Sequence, residues 1–412
     1  MNTEPTAKVR PILDKVKTYI NEAVLPVEQE YHKEIGNGDR WKQSSRQKEI
    51  LDQLKKGARD LGLWNFFLTE GEHASGLSTV DYAFIAELTG QSLLAAEVFN
   101  CSAPDTGNME VLAKYGTQAQ KEQWLLPLMN GEIRSAYAMT EPDVASSDAT
   151  NISMSAVLKD GQWCINGDKI WISGAGDERC KILICMVKTD PDAARHQQQS
   201  QVLVPLDAPG VEVLRPMQVF SRDGAPHGHM HLRLTNVMVP EDSIILGRGR
   251  GFEIAQGRLG PGRIHHVMRA IGMAEKALRL MCQRSVSRTA FGKPLAKLGG
   301  NYDLIAQARM NIDMARLLTL QTAHVIDTQG VQAARVWISK IKATVPLITL
   351  KIIDDAMQMH GASGLSQDFP LAEMYMNART LRLADGPDEV HRMVVARDEL
   401  KPYMSPYTDK VK

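Results

Sequence analysis

The spacing of apolar residues changes twice along this 412-residue chain. In the first third, apolar side chains recur every three or four residues, as at Ile12 and Val16, which is typical of amphipathic helices. Apolar and polar residues then alternate, as in half-buried strands, before the helical spacing returns. This order predicts a mostly α protein with a central β domain. The predicted segments are an N-terminal helical domain 1–132, a central β domain 133–247 and a C-terminal helical bundle 248–412.

Two dipeptides in the β segment, Asp160-Gly161 and Asn166-Gly167, favour tight hairpin turns. They predict a meander of short strands at 152–158, 163–165 and 169–172. Further strands are expected at 181–188, 202–206, 211–220 and 229–239. In the C-terminal segment, the apolar run 341–359 predicts a helix that is buried or lies at a subunit interface, with an interruption at Pro346.

Composition argues against several classes of protein. The 48 basic and 48 acidic residues balance, whereas a nucleic-acid-binding protein usually carries a basic excess. No apolar run reaches the roughly 18 residues that a membrane-spanning helix needs. The five cysteines are scattered and odd in number, which favours reduced thiols over disulfides. The N-terminus lacks the apolar core of a secretory signal, so we expect a cytoplasmic location.

Three histidines, His227, His229 and His231, alternate as residues on one face of a strand do. Three imidazoles on one face suit a zinc ion, but no obvious carboxylate or supporting shell accompanies them. We therefore expect no metal site.

Two segments around the start of the β region offer polar groups to a ligand. The segment 137–148 is rich in hydroxyl groups and acceptors that suit a polar ring or a phosphate, although its composition also fits a turn-rich linker. Lys169-Ile-Trp-Ile-Ser173 ends a predicted strand. Its Trp171 fits either a core position or a cover over the face of a planar cofactor.

Two segments of the C-terminal region are equally open to two interpretations. Arg288 follows a long predicted helix and is a candidate to bind phosphate oxygens, or a cation that stabilises the helix C-terminus. The glycines of Gln358-Met-His-Gly-Ala-Ser-Gly364 allow a ligand to approach the backbone closely, or form a helix C-cap and turn.

Asp385-Gly386-Pro387 precedes a helix that is predicted to run to about Leu400. Asp385 fits an N-cap or turn aspartate at this junction. It also fits a general base that faces a pocket.

Taken together, these motifs resemble those of the acyl-CoA dehydrogenase family, and the resemblance covers nearly the whole chain. It rests on five segments in family order: YAMTEP at 137–142, KIWIS at 169–173, RTAFGK at 288–293, QMHGASG at 358–364 and DG at 385–386. It implies an N-terminal helical domain, a β-barrel-like middle domain and a C-terminal four-helix bundle. It also implies FAD as cofactor, an acyl-CoA substrate, an electron-transfer flavoprotein as electron acceptor, and a homodimer or homotetramer in which a neighbouring subunit completes each FAD site.

The resemblance also implies roles for individual residues. Asp385 is implied to be the base that removes the Cα proton of the thioester while the Cβ hydride passes to flavin N5, which yields the trans-2-enoyl-CoA. The residues implied to bind FAD are Met139, Thr140, Trp171, Ser173, Arg288, Phe291, Gln358, Gly361 and Gly364, the last three from the adjacent subunit. The residues implied to bind the substrate are Ser146, Ser147, Arg263 and Gly386.

Asp385 departs from the commonest pattern of the family, in which the base is a glutamate followed by glycine. An aspartate is one methylene shorter, so its carboxylate reaches about 1.5 Å less far. The string 385–391 resembles a branch, that of family members ten and eleven, in which some proteins act on a phosphorylated 4-hydroxyacyl-CoA. Two alternatives follow: elimination from a 4-hydroxyacyl-CoA or its 4-phosphorylated form on the same scaffold, or an acyl-CoA-binding protein without base chemistry.

Overall fold

The computed structural model describes residues 4–404 and, within them, every side chain except that of Leu259. Helices occupy both ends of the described chain and strands occupy its middle, which confirms the predicted fold class. The helices before the sheet are α1 (Arg10–Tyr19), α2 (Leu25–Glu34), α3 (Ser45–Asp60), α4 (Thr79–Thr89), α5 (Ala95–Val98), α6 (Asp105–Tyr115), α7 (Gln118–Gln120) and α8 (Leu126–Met129).

The strands of the main sheet are β1 (Arg134–Ala138), β2 (Ser155–Lys159), β3 (Gln162–Ser173), β4 (Cys180–Lys188), β5 (Gln199–Pro205), β6 (Val211–Pro216) and β7 (His229–Pro240). The elements that follow are α9 (Gly251–Ser287), the short strands β8 (Thr289–Ala290) and β9 (Lys293–Pro294), α10 (Asn301–Ala333), α11 (Arg335–His360), α12 (Leu371–Thr380) and α13 (Asp388–Leu400). None of the helices within residues 4–404 is long and apolar enough to cross a membrane.

The chain packs as two compact units. The sheet unit comprises Lys15–Leu77 and Leu94–Gly262. The bundle unit comprises the residues up to Asp14, Ser78–Leu93 and the residues from Arg263 onward. The division into three segments that the sequence suggests stays a prediction.

The sheet has the strand order β1-β4-β2-β3-β7-β6, and β5, which is not part of this order, also pairs with β4. The pairs β3–β7, β4–β5 and β6–β7 are antiparallel, while β1 and β4 run parallel. Alternate side chains of these strands, such as Ile165, Leu183 and Leu232, are fully buried in one apolar cluster. This cluster fixes the register, because a slip by one residue would turn the apolar face outward.

One of the two predicted hairpins is confirmed and the other is wrong. Asp160 and Gly161 form the turn between β2 and β3, where Lys159 pairs with Gln162. Gly167 instead lies inside β3 at φ 146°, where the pairing with β7 shifts register. A Cβ atom on Gly167 would lie 3.1 Å from the Met154 side chain. The glycine therefore allows a β-bulge and the close approach of Met154. The segments 163–165 and 169–172 belong to one continuous strand.

Two further expectations need correction. The strand predicted at 211–220 ends at Pro216, and the helix predicted to be interrupted at Pro346 continues through it as α11. Proline removes one helical hydrogen bond. Side chains buried on both sides of it, including Ile341 and Ile352, keep α11 continuous.

Candidate active site

The loop after β1 is held against β3 by a buried lysine. Lys169 Nζ donates to the carbonyl oxygens of Met139 at 3.0 Å and Met186 at 2.6 Å, and it pairs with Glu141 Oε1 at 2.8 Å. The backbone N–H of Ile170 donates to Thr140 O at 2.9 Å. The segments 137–142 and 169–173 were separate motifs in the sequence, and the fold places them side by side.

The Lys169–Glu141 pair is a feature that the sequence analysis missed. The two side chains are 0% and 3% exposed. Burial lowers the pKa of Lys169. Burial also raises the pKa of Glu141, but the charge of Lys169 and hydrogen bonds, including those from Ser153 and Met154, outweigh it, so this pKa is lowered. The sequence carried no signal for this burial, because alternation with Ile170 and Ile172 would place Lys169 on the polar face of the strand.

Trp171 and Ser173 lie at the end of β3. Trp171 has a left-handed backbone, with φ 59°, and its side chain stays 42% exposed. Ser173 Oγ lies 2.8 Å from Nδ1 of His229, its register partner on β7. Burial lowers the pKa of His229, so its ring is neutral at pH 7. The end of β3 therefore presents the partly exposed indole of Trp171 and, two residues on, the Ser173 hydroxyl group, which His229 orients.

The other predicted residues of the sheet unit differ in exposure. Met139 and Thr140 are half-buried beside β3. Ser146 is buried, and its hydroxyl oxygen accepts a hydrogen bond from the N–H of Glu141 at 2.9 Å, so it closes the loop on itself. Ser147 is exposed. Of the two serines, Ser147 is thus the one with an open side chain.

The three alternating histidines each have a partner within the sheet unit. His227 Nδ1 lies 2.7 Å from Asp177, and His231 Nε2 lies 2.9 Å from Asp168. His229 contacts Ser173 as described. Within residues 4–404, no group of three His, Cys, Asp or Glu side chains is arranged to hold a metal ion.

In the bundle unit, the segment 288–294 forms a tight hairpin. Phe291 and Gly292, with φ 50° and 73°, make the two-residue turn between β8 and β9. Two successive left-handed residues fit the turn type that the twist of a hairpin favours. The Phe291 side chain is 94% exposed, and Arg288 is exposed as well. Both side chains are therefore available to another molecule.

The segment 358–364 ends helix α11. Gly361 is its C-cap, with φ 63°, and the side chain of Gln358 is exposed. Gly364 is buried, and a Cβ atom there would lie 2.5 Å from the carbonyl oxygen of Met357. This glycine is required by the close approach of the turn to the helix.

Asp385 lies in the connection between α12 and α13, and its backbone is left-handed, with φ 55°. Side chains from two helices hold it. Arg263 Nε donates to the Asp385 carbonyl oxygen at 2.9 Å, and His391 Nε2 lies 3.3 Å from the same oxygen. His266 Nε2 lies 3.4 Å from the carboxylate oxygen Oδ2 of Asp385. A left-handed non-glycine residue is a local strain that persists only where its surroundings fix it.

The residue after Asp385 is equally constrained. Gly386 has φ 102°, and a Cβ atom on it would lie 3.1 Å from His391 Nε2. Lys342 Nζ, from α11, donates to the Gly386 carbonyl oxygen at 3.3 Å and also to the carbonyl oxygen of Leu381. Glycine is thus the residue that fits both the dihedral angle and the space.

Burial controls the protonation of the groups around Asp385. It lowers the pKa of His391 to about 4 and that of Lys342 to about 8. It also lowers the pKa values of His266 and Arg263. At pH 7 both histidines are therefore neutral and Lys342 is mostly charged. A neutral His391 with its proton on Nε2 donates to Asp385, while Nδ1 accepts from the hydroxyl group of Ser339 at 3.3 Å.

His266, Lys342 and His391 are functional candidates that the sequence analysis missed. His266 lies one helical turn after Arg263, and His391 belongs to the string 385–391 that was already singled out. Lys342 was the harder case, since it is one of three cations near the start of α11 and nothing in the local sequence distinguishes it.

Comparisons with known proteins agree with this architecture. Three family models match in order: "Acyl-CoA dehydrogenase, N-terminal domain" at residues 6–132, "middle domain" at 136–236 and "C-terminal domain" at 249–400. Acyl-CoA dehydrogenase family member 10 of Mus musculus is 52% identical over 95% of this chain and 37% of its own length. Family member 11 of Homo sapiens is 48% identical over 98% of this chain and 52% of its own length.

A solved structure of an acyl-CoA dehydrogenase homologue from Mycobacterium abscessus superposes with a TM-score of 0.93. It is 50% identical and covers 97% of this chain and 100% of its own. The chain spans between about a third and a half of the length of the two mammalian relatives. The matched domains and these identities establish that the chain belongs to the acyl-CoA dehydrogenase family.

Proposed function

We propose that the chain oxidises the Cα–Cβ bond of an acyl-CoA thioester to the trans-2-enoyl-CoA, with FAD as cofactor and Asp385 as the base. The observation that carries this proposal is the Asp385 turn. Its backbone is held in a strained conformation by Arg263 and His391, and its carboxylate lies beside a neutral His266. Strained, restrained carboxylates of this kind are typical of catalytic positions.

In this proposal the Asp385 carboxylate accepts the Cα proton of the thioester. A thioester Cα–H is only weakly acidic, so the base must be ionised and fixed within hydrogen-bond reach of that proton. Donors that face the thioester oxygen stabilise the negative charge that develops on it. When bound, FAD supplies the hydride acceptor for Cβ.

The residues at the end of β3 fit such a cofactor. A partly exposed indole at Trp171 and an oriented hydroxyl group at Ser173 suit a planar ring with polar edge atoms. Met139 and Thr140, fastened beside them through Lys169, extend the same surface. On the bundle unit, Arg288 and Phe291 would bind the pyrophosphate and ribityl parts, and Gln358, Gly361 and Gly364 would reach the FAD of a neighbouring subunit in a homodimer or homotetramer.

For the substrate, the proposal assigns Ser147 and Gly386 to the acyl-CoA site. It also keeps Ser146 and Arg263 there. The Ser146 hydroxyl group in addition closes its own loop, and Arg263 Nε in addition holds the carbonyl oxygen of Asp385. An electron-transfer flavoprotein is the electron acceptor that we propose.

An anaerobic absorbance titration of the FAD-loaded protein with a panel of acyl-CoA thioesters tests the function. We expect one saturated thioester to bleach the flavin and to yield its enoyl product, which mass spectrometry identifies. A protein that binds no FAD, or whose flavin no thioester bleaches, would contradict the proposal.

A second function is favoured by the charges around the turn. Arg263, which is half-buried, and Lys342, which is fully buried, place two cations beside Asp385 and Gly386. This excess of positive charge suits an acyl chain that bears an anionic group, as a 4-phosphorylated 4-hydroxyacyl-CoA does. Loss of phosphate and a proton from such a substrate leaves an unsaturated thioester without a change in oxidation state. Multiple turnovers with phosphate release in the absence of an electron acceptor would support this reaction, and a strict need for an acceptor would exclude it.

A further inference from the structure

Lys342 is a lysine whose side chain is fully buried on α11. Its ammonium group donates to the carbonyl oxygens of Leu381 and Gly386. Leu381 directly follows α12, and Gly386 directly follows Asp385. One ammonium group thus binds both ends of the segment 381–386, which carries the proposed base.

The capping of a helix does not by itself account for this burial. A lysine stabilises the carbonyl end of a helix equally well from the surface, where its charge stays hydrated. Burial of an ammonium group is costly, and it lowers the pKa of Lys342 to about 8. The negative charge of Asp385 acts in the opposite direction and favours the protonated lysine. The electrostatic coupling between Lys342 and Asp385 is reciprocal, so the lysine also favours the ionised carboxylate.

The surroundings of the turn show which charges act on Asp385. The titratable or charged groups that face it are Arg263 and His266 from α9, Lys342 from α11, Arg382 from the connection, and Asp388 and His391 from α13. Arg382 pairs with Asp388 at 2.7 Å, and both histidines are neutral at pH 7. Within this set, Arg263 and Lys342 are therefore the cations that are not paired with a carboxylate other than Asp385. Lys342 donates to two carbonyl oxygens of the segment, whereas Arg263 Nε donates to one.

We propose that Lys342 is a positioning residue for Asp385. It fixes the segment 381–386 so that the short aspartate side chain meets the Cα proton, and its charge keeps that carboxylate ready to accept it. This inference rests on the proposed dehydrogenase function.

The test compares FAD-loaded wild type, Lys342→Met and Lys342→Gln, with Lys351→Met as the matched control. Lys351 lies on the same helix, is exposed and pairs with Asp355. We expect Lys342→Met to lower kcat about a hundredfold, as a displacement of about 1 Å does, with little change in KM. We expect the acid limb of the pH profile of kcat to move up by about one pH unit. Lys342→Gln should show the same shift of the limb with a smaller loss of kcat, because its amide still donates.

Amide hydrogen exchange gives a readout that does not depend on turnover. In Lys342→Met the backbone amides of residues 381–386 should exchange faster than in wild type and in Lys351→Met, while the rest of α11 stays protected. A wild-type kcat and acid limb in both Lys342 variants would overturn the inference. A loss of kcat with an unmoved acid limb would overturn it as well, since that is the result of a purely structural lysine.

The failures of the two proposals are distinguishable. If Asp385→Asn is inactive and Lys342→Met retains wild-type turnover, this inference alone fails. If wild type and Asp385→Asn turn over equally, or neither is active, the proposed function fails and this inference fails with it.

Discussion

The end of β3 in the sheet unit and the Asp385 turn in the bundle unit both hold a side chain on left-handed backbone, but by different means. Trp171, at φ 59°, belongs to a strand that pairs with β7 and is fastened by the buried Lys169–Glu141 pair. Asp385, at φ 55°, lies between helices, and donors from other helices hold its carbonyl oxygen and that of Gly386.

The two regions also differ in how far along the chain their supports lie. Lys169 and Glu141 are 28 positions apart, whereas Arg263 and Asp385 are 122 positions apart. A surface that stacks on a cofactor can be built from one sheet and its adjoining loop. The proposed base, Asp385, must be placed to within about 1 Å, and its turn is fixed from several directions at once.

The largest expected effect is on the sheet unit. Glu141→Gln leaves the Lys169 charge buried without its partner, so we expect the free energy of unfolding to fall by about 3–5 kcal/mol. Denaturant titration measures it. The control is Lys56→Gln, which breaks the exposed pair with Asp60 and should cost less than about 1 kcal/mol. Equal losses in the two variants would mean that the buried pair does not organise this region.

The next effect concerns the reach of the base. Asp385→Glu restores the residue most common in the family, yet the turn here is fixed around an aspartate. We expect its kcat to fall roughly a hundredfold, because the carboxylate is displaced by about 1.5 Å. Steady-state assays with an artificial electron acceptor measure this. Turnover equal to or above that of wild type would show that the turn adapts and is not rigidly held.

A smaller effect is expected at the strand end. Ser173→Ala removes the hydroxyl group that His229 orients, and one neutral hydrogen bond contributes about 0.5–1.5 kcal/mol. The dissociation constant of FAD should therefore rise about two- to tenfold, as fluorescence titration of the apoprotein measures. Ser173→Thr, which keeps the hydroxyl group, is the control, and an unchanged constant in the alanine variant would remove Ser173 from the cofactor surface.

The smallest effect is a pH dependence of stability. Unfolded His391 takes up a proton near pH 6.5, while folded His391, with its pKa lowered to about 4, resists it. Acidification from pH 6.5 to pH 4 therefore favours the unfolded state, and the stability that the neutral ring contributes is present above pH 6.5. The melting temperature of His391→Gln should fall less between pH 7 and pH 5 than that of wild type. An equal fall in both proteins would place the acid sensitivity elsewhere.

The sequence predicted the order of helices and strands because that information is local. Apolar spacing and the Asp160-Gly161 turn need only neighbouring residues. Asn166-Gly167 carries the same turn signal, but its glycine is needed for the close approach of Met154, which directly precedes the neighbouring strand β2. The dipeptide alone cannot distinguish a hairpin turn from a bulge within a strand.

The residues of the candidate site also divide into those with a local sequence signal and those that depend on long-range contacts. Trp171, Ser173 and Asp385 became candidates because they lie in short motifs. Lys342 and His266 did not, since each matters only through contacts with the segment 381–386, and the fold makes those contacts across 39 positions or more. Lys169 lies within a motif, yet its pairing with Glu141 depends on the fold, which places the loop after β1 beside β3.

The most direct test of the central claim is a single-turnover measurement of flavin bleaching in Asp385→Asn, loaded with FAD and mixed anaerobically with the thioester that bleaches wild type. The amide has nearly the same size as the carboxylate but cannot accept the Cα proton. We predict that FAD stays bound while bleaching slows by about 100- to 10,000-fold, the range of general-base contributions. Bleaching at the wild-type rate would contradict the assignment of Asp385 as the base.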